Sequence, residues 1–308
     1  MAEVPVNDHE LLRQASATLG LGAPAPASLR LLDVLPAAEP TDWRLVAAAL
    51  APWLKQRRAQ QQAPLVVGLA GGQGAGKSTL ARLLVEALRA LGLHAATLSL
   101  DDVYHTRAAR AALAERIHPL LATRGVPGTH DLGLLWALFE SLTADRIKLP
   151  LFDKGLDDRA PVDDWPTCTG PLDVLVFEGW CLGVQPQQEA ELEAPMNALE
   201  AEEDADGHYR HYVNRSINDH YRPVWAHLDA WLFLAVPSFE AVRRWRGEQE
   251  QALLPERRMD PAQLDRFCAH YERLTRQLLR TAPAAATWTL RLNENHRVEF
   301  REDSAAPA

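Results

Sequence analysis

Residues 71–78 read Gly-Gly-Gln-Gly-Ala-Gly-Lys-Ser and have the residue types and spacing of a phosphate-binding loop. Glycines allow successive backbone N–H groups to face a bound anion, and the amino end of a following helix adds its positive dipole. Lys77 would reach the outer phosphates of a nucleotide, and the Ser78 hydroxyl would bind Mg²⁺. The predicted nucleotide-binding residues are Gly71, Gly72, Gln73, Gly74, Ala75, Gly76, Lys77, Ser78 and Thr79.

Two carboxylates follow apolar runs that are typical of buried strands. Asp101 comes after the second run and is placed to accept the proton of a substrate hydroxyl, because ligands of open α/β sheets bind at the carboxyl ends of the strands. Glu178 comes after the third run and would hold Mg²⁺ together with Ser78, or lie near the acceptor. The alternatives are that Asp101 and Asp102 cap a helix and that Glu178 is an exposed loop residue.

Three arginines on about one helical turn, Arg243, Arg244 and Arg246, could close over the γ-phosphate as a lid around residues 239–255. The alternative is an amphipathic helix with a basic face. The chain has no Asn-Lys dipeptide and therefore lacks the guanine-reading motif of GTPases, which favours ATP as the nucleotide.

Alternating strand and helix patterns predict an α/β fold with a mainly parallel five-stranded sheet and helices on both faces. The strand patterns are at residues 65–70, 96–100, 172–177, 231–236 and 287–292. The helix patterns between them are at residues 78–91, 132–142, 239–253 and 261–279. This is the arrangement of a P-loop NTPase fold.

The rest of the chain suggests flanking pieces around this sheet. We expect residues 1–62 to be a helical N-terminal extension, residues 63–300 to be the main domain and residues 301–308 to be a frayed tail. The predicted pieces of lower regularity are a loop at 20–40, loops at 145–171 and a solvated acidic segment at 189–206.

Composition excludes several classes of protein. The chain of 308 residues has 32 basic and 41 acidic residues, a net charge of −9, which disfavours non-specific nucleic-acid binding. No apolar run approaches the roughly 18 residues of a membrane span, and the amino terminus lacks the apolar core of a signal peptide. The three cysteines form no CxxC pair. We therefore expect a cytoplasmic protein that binds a small molecule, with a homo-oligomer as an open alternative to a monomer.

In this order, these pieces resemble the P-loop kinase superfamily of phosphoribulokinase, uridine kinase and bacterial pantothenate kinase. Within it, the chain is most similar to the D-glycerate 3-kinase family. The motifs that carry the resemblance are residues 71–78, 99–104, 124–131, 149–154, 158–161, 177–180, 245–246 and 249–250.

The resemblance implies an ATP- and Mg²⁺-dependent kinase that phosphorylates a hydroxyl of a small metabolite, with the 3-hydroxyl of D-glycerate as the leading acceptor. It implies catalytic roles for Lys77, Asp101 and Glu178, and either Arg159 or Lys154 on the acceptor's carboxylate. The acceptor-side residues that it implies are Asp102, Tyr104, His130, Asp131, Asp153, Lys154 and Arg159. The alternatives are a pantothenate- or nucleoside-like acceptor, and an ATP-binding regulatory protein without kinase activity.

Overall fold

The computed structural model describes residues 8–251 and 258–300. Their strands are β1 (Leu65–Gly71), β2 (Ala95–Ser99), β3 (Arg146–Lys148), β4 (Phe152–Asp153), β5 (Asp158–Arg159), β6 (Thr167–Thr169), β7 (Val174–Gly179), β8 (Ala230–Ala235) and β9 (Trp288–Arg291). Their helices are α1 (Asp8–Thr18), α2 (Pro26–Val34), α3 (Thr41–Arg58), α4 (Lys77–Ala90), α5 (Arg107–Arg116), α6 (Leu132–Ser141), α7 (Glu189–Leu192), α8 (Ala198–Glu203), α9 (His208–Ser216), α10 (Arg222–Ala226), α11 (Phe239–Gln251) and α12 (Pro261–Ala285).

A five-stranded parallel sheet forms the centre of the molecule, in the order β2-β7-β1-β8-β9. This confirms the predicted sheet, and each strand coincides with one of the five apolar runs. Glu178 on β7 is in register with Ser99 on β2 and with Leu69 on β1. The carboxyl ends of these three strands therefore lie side by side, which brings the segments that follow them to one edge of the sheet.

Helices cover both faces of the sheet, as predicted. On β1, Leu65, Val67 and Leu69 belong to one apolar core, whereas Val66 and Ala70 belong to a second. The alternation arises because successive strand side chains point to opposite faces. The first core includes residues of α1 to α4 and α11, and the second includes residues of α6, α9, α10 and α12.

The N-terminal helices pack against the sheet layer through α4. Trp43 of α3 is 4% exposed and lies against the phosphate-binding loop, where a Cβ placed on Gly76 would be 2.9 Å from its ring. The Asp42 carboxylate accepts hydrogen bonds from the Val298 backbone N–H at 2.9 Å and from Arg297 at 3.2 Å. Helix α3 therefore contacts both the loop and the C-terminal end of the described chain.

Three predicted segments differ from the structure. Residues 20–40 were expected to be a loop but contain α2, in which Pro26 occupies the first turn, a position where proline is tolerated. Residues 145–171 contain two short antiparallel strand pairs rather than loops alone. The acidic segment 189–206 is not fully solvated, because Glu200 is buried in an ion pair with Arg273.

Parts of the sequence predictions fall outside the described residues: residues 1–7 of the N-terminal extension, the ends of the predicted 239–253 helix and of the predicted lid at 252–255, and the tail at 301–308. Across the described ranges, every helix is too short or too polar to cross a membrane.

Candidate active site

The phosphate-binding loop connects β1 to α4. Gly74 and Gly76 have φ angles of 77° and 85°, in the left-handed region that favours glycine. Gly76 is the N-cap of α4 and has no side chain with which to cap it, so the N–H groups of the first turn, which includes Thr79, are open to an anion. The side-chain amide atoms of Gln73 are also buried without a hydrogen-bond partner in the described structure. These unpaired polar groups fit a bound phosphate chain.

Lys77 begins α4 and turns its ammonium back over the loop, where Nζ donates a hydrogen bond to the Gly72 carbonyl at 2.9 Å. Burial lowers the pKa of this lysine, against the opposing effect of the carboxylates of Glu178 and Asp101. The ammonium therefore lies near two carboxylates at the carboxyl edge of the sheet, where a third anionic group would increase its preference for the charged form.

Ser78 and Glu178 form the strongest candidate for a metal site. The Ser78 hydroxyl donates to Oε1 of Glu178 at 2.9 Å, although the two residues are 100 positions apart in sequence. Residues 8–251 and 258–300 contain no group of three His, Cys, Asp or Glu side chains that could hold a metal. Mg²⁺ does not require one, because it keeps several waters and binds through one or two carboxylates plus substrate phosphates. A hydroxyl beside a carboxylate at a phosphate loop fits this mode.

Asp101 lies just beyond β2, with both carboxylate oxygens hydrogen-bonded. Oδ1 accepts from the Tyr104 hydroxyl at 3.0 Å, and Oδ2 accepts from Lys154 Nζ at 2.7 Å. Burial acts to raise the pKa of Asp101, but Lys154, His130 and the Tyr104 hydroxyl together outweigh it, so that the pKa lies below its ordinary value. The carboxylate is therefore ionised at neutral pH, as a proton acceptor requires.

Helix α11 lies over the phosphate-binding loop. Cβ atoms placed on Gly72 and Gly74 would lie 2.8 Å from Val242 and 3.1 Å from Trp245. Of the three arginines predicted for a lid, Arg246 lines the same cleft as the loop. The other two do not line it: Arg243 pairs with Asp265, and Arg244 pairs with Glu294.

These groups line one cleft of about 360 Å³. It brings together predicted residues from the phosphate loop, from both strand-end carboxylate segments, from the acceptor side and from α11. Those that line it are Gln73, Gly74, Lys77, Ser78, Asp101, Tyr104, Lys154, Glu178 and Arg246.

Four predicted acceptor-side residues do not line this cleft; instead they hold the loops around it. Arg159 donates to the Tyr104 carbonyl and to Asp131, each at 2.9 Å. Asp131 also caps α6. Asp153 accepts from the backbone of the turn that follows it, at Gly155 and Leu156. Asp102 accepts from the Phe152 N–H at 3.3 Å, and burial raises its pKa to about 6.

His130 lies behind Tyr104 and is also absent from the cleft lining. Its ring stacks on that of Tyr104 with the centroids 4.4 Å apart, and Nδ1 lies 2.7 Å from the Tyr221 hydroxyl. Burial lowers the pKa of His130 to about 3, so the imidazole is neutral. In this structure His130 supports Tyr104, which in turn hydrogen-bonds Asp101.

Five cleft residues were not predicted as site residues: Arg124, Trp180, Gln249, Phe267 and Tyr271. Arg124, Trp180 and Gln249 fall within segments that carry the family resemblance, so a signal for them was present in the sequence. Phe267 and Tyr271 lie on α12, where the apolar spacing matches that of any core helix, and no local signal distinguishes them.

Comparisons with known proteins agree with this geometry. Over 201 residues, the chain is 33% identical to a chloroplastic D-glycerate 3-kinase of Arabidopsis thaliana; the match covers 62% of this chain and only 42% of the plant protein. It is 29% identical to an uncharacterized kinase of Schizosaccharomyces pombe over 231 residues, 71% of this chain and 82% of that one. A solved structure of D-glycerate 3-kinase from Cryptococcus neoformans is similar with a TM-score of 0.68 and 28% identity, covering 83% of this chain and 98% of the other.

These likenesses confirm the P-loop kinase fold and the resemblance predicted from the sequence motifs. The family model for phosphoribulokinase and uridine kinase matches residues 66–188, which contain the phosphate loop, Asp101, Lys154 and Glu178. Over these residues the chain is therefore similar to the phosphoribulokinase / uridine kinase family, and it shares the fold of the P-loop kinases.

Proposed function

We propose that this chain is an ATP- and Mg²⁺-dependent kinase that transfers the γ-phosphoryl group of ATP to a hydroxyl of a small anionic metabolite, with the 3-hydroxyl of D-glycerate as the acceptor. The observation that carries the proposal is the convergence of Lys77, the Ser78–Glu178 pair and Asp101 in one cleft. Phosphoryl transfer requires phosphate binding, a metal position and a group that receives the acceptor's proton. These residues provide all three.

The nucleotide end of the cleft is the loop between β1 and α4. Backbone N–H groups at the start of α4 and the Lys77 ammonium would hold the phosphates. Helix α11 covers the loop from the other side and supplies Arg246 to the cleft, where the arginine pairs with Glu250. A cation at this place would stabilise charge that develops on the transferring group.

Ser78 and Glu178 would hold Mg²⁺, the hydroxyl directly and the carboxylate directly or through a bound water. An ion held there would supply positive charge that neutralises the charge developing on the transferring group. The adjacency of Ser78 and Glu178 in this structure, at 2.9 Å, supports their acting on one ion.

Asp101 would accept the proton of the acceptor hydroxyl as its oxygen forms a bond to the γ-phosphorus. The bond between that phosphorus and the β,γ-bridging oxygen breaks, and ADP leaves. Tyr104 fixes one carboxylate oxygen of Asp101, and the stacked His130 fixes Tyr104. This leaves Oδ2, now bonded to Lys154, as the oxygen that would face the hydroxyl.

D-glycerate as the acceptor is supported by the relatives, two of which are named D-glycerate 3-kinase. The cationic acceptor end of the cleft, which includes Lys154, suits a small hydroxy acid better than a neutral nucleoside.

The test is ADP release from the purified protein with ATP·Mg²⁺ and a panel of D-glycerate, L-glycerate, pantothenate, uridine and ribulose 5-phosphate. The Lys77→Ala variant serves as the blank. We expect D-glycerate to stimulate ADP release and 3-phosphoglycerate to form in equal amount. If another acceptor alone stimulates ADP release, that compound replaces D-glycerate as the proposed acceptor. If no acceptor in the panel stimulates ADP release although ATP binds, the proposal is contradicted.

A further inference from the structure

Four basic side chains line the cleft. They form two pairs, Lys77 with Arg246 and Arg124 with Lys154. Lys77 belongs to the phosphate loop, and Arg246 belongs to α11, which lies over that loop. Lys154 donates a hydrogen bond to Asp101. Arg124 forms an ion pair with Asp157, and Asp157 lies three residues after Lys154 in the chain. Arg124 and Lys154 therefore form the cationic end of the cleft beside the proton acceptor.

Arg124 is held in place at both its backbone and its side chain. Its carbonyl accepts a hydrogen bond from the Tyr271 hydroxyl at 3.3 Å. The adjacent Gly125 lies so close that a Cβ would be 2.6 Å from the same hydroxyl. The guanidinium carbon lies 5.4 Å from the centre of the Phe152 ring, and Nη1 donates to Asp157. A guanidinium fixed in this way is preorganised for a ligand.

The structure does not need Arg124 to hold the turn that contains Asp157. Arg110 already does so, because it donates to the Asp157 carbonyl at 2.7 Å and lies 2.9 Å from Asp157 Oδ2. Arg110 is 1% exposed, and it also donates to two other backbone carbonyls. The side chain of Arg124, in contrast, is 29% exposed and lines the cleft.

Arg159, which the resemblance implied as a carboxylate ligand, does not line the cleft, and its Nη2 donates hydrogen bonds to the Tyr104 carbonyl and to Asp131. A guanidinium has five N–H donors, and among the described residues Arg124 uses one side-chain nitrogen, Nη1, for Asp157. Its remaining donors are available to a ligand in the cleft.

We infer that Arg124 binds the carboxylate of the acceptor and gives the enzyme its preference for small hydroxy acids over neutral alcohols. This inference rests on the proposed kinase function and names the substrate class of the same site. A planar guanidinium binds a planar carboxylate through two parallel hydrogen bonds, which a lysine cannot reproduce. With the carboxylate held by Arg124, the hydroxyl end of a short hydroxy acid is directed toward Asp101.

The test compares Arg124→Ala and Arg124→Lys with the wild-type chain, using D-glycerate and glycerol as acceptors. Arg116→Ala is the matched control, because Arg116 is an exposed arginine at the end of α5 that does not line this cleft. In Arg124→Ala we expect the KM for D-glycerate to rise about 10- to 100-fold, as for the loss of charge-assisted hydrogen bonds. The KM for ATP should stay within about twofold of wild type. The preference for D-glycerate over glycerol, measured as the ratio of kcat/KM values, should fall by the same factor.

Arg124→Lys should lie between these limits, since it keeps the charge but loses the fork. It also provides the test should the alanine variant fail to fold. An unchanged KM for D-glycerate, an unchanged preference over glycerol, or an equal rise in the KM for ATP would overturn the inference.

The wild-type panel separates this inference from the proposed function. If an anionic acceptor other than D-glycerate is phosphorylated and Arg124→Ala raises its KM, the inference holds and the proposed acceptor is wrong. If a neutral acceptor is preferred by the wild-type chain, both are wrong. If the wild type and Arg124→Ala phosphorylate D-glycerate with the same KM, the proposed function holds and the inference fails.

Discussion

The ammonium of Lys154 lies 2.7 Å from Oδ2 of Asp101, the carboxylate oxygen that would receive the acceptor's proton. The Lys154 side chain is 59% exposed, whereas that of Asp101 is 28% exposed. An exposed, flexible cation therefore covers a partly buried base. For the acceptor hydroxyl to reach Oδ2, the ammonium would have to move aside.

Replacing Lys154 with methionine should change the pH dependence of turnover. Burial raises the pKa of Asp101 and Lys154 lowers it, so that removing the ammonium should raise this pKa. The base acts when ionised, and activity is lost as the pH falls through its pKa. We therefore expect the acid limb of the kcat/KM profile, which reports the pKa of the base in the free enzyme, to move to higher pH in Lys154→Met.

Lys148→Met is the control for this experiment, because Lys148 is an exposed lysine that donates to the Val162 carbonyl and does not line the cleft. Its pH profile should match that of the wild type. An acid limb that stays in place in Lys154→Met would show that Lys154 does not set the pKa of the base.

Trp43 links the N-terminal helices to the phosphate loop. The ring is 4% exposed and packs against Gly76, so Trp43→Ala should lower the free energy of unfolding by about 3–5 kcal/mol in urea denaturation. Because the ring supports the loop, the same variant should raise the KM for ATP while the KM for D-glycerate stays unchanged.

Trp53→Ala separates the loss of stability from the change in the KM for ATP. Trp53 lies on the same helix, but its ring contacts Trp288 at 4.8 Å between centroids. We expect Trp53→Ala to reduce stability without changing the KM for ATP. A rise in the KM for ATP of equal size in both variants would mean that general loosening, and not the contact with Gly76, is responsible.

The ion pair between Glu200 and Arg273 should contribute to stability in a way that an exposed pair does not. Arg273 donates to both carboxylate oxygens, at 2.7 and 2.6 Å, and both residues are buried. Arg273→Met leaves an unpaired buried carboxylate and should cost about 3–5 kcal/mol of unfolding free energy. Adding Glu200→Gln should recover part of this loss.

Arg266→Ala removes the exposed ion pair with Glu203 and should cost less than about 1 kcal/mol. If Arg273→Met is no more destabilising than Arg266→Ala, then the buried pair contributes no more to stability than the exposed one.

The sequence predicts the sheet and the reaction centre better than it predicts the acceptor end. Phosphate-loop residues are contiguous, and Asp101 and Glu178 each lie at the carboxyl end of an apolar run, so chain position alone places them at one edge of a parallel sheet. Arg124 and Arg159 differ from this case, because each lies in a loop whose partner is distant in sequence. Only the fold shows that Arg159 donates hydrogen bonds to Tyr104 and Asp131, whereas Arg124 lines the cleft.

The same reason explains the errors outside the site. The acidic segment 189–206 has no basic residue of its own, which favours solvent exposure, yet α12 supplies Arg273 as a partner for Glu200. Proline and alanine in 20–40 are typical of loops, but Leu31 and Leu32 of α2 are buried and hold a helix there.

The central claim of this account is that Asp101 receives the proton of the acceptor hydroxyl. The direct measurement is turnover of D-glycerate by Asp101→Asn, with the Kd for ATP determined separately by calorimetry. We expect turnover to fall by about 10²- to 10⁴-fold, as for the loss of a general base, at an unchanged Kd for ATP. Asp163→Asn, at an exposed aspartate outside the cleft, should behave as the wild type. Wild-type turnover in Asp101→Asn would contradict the account.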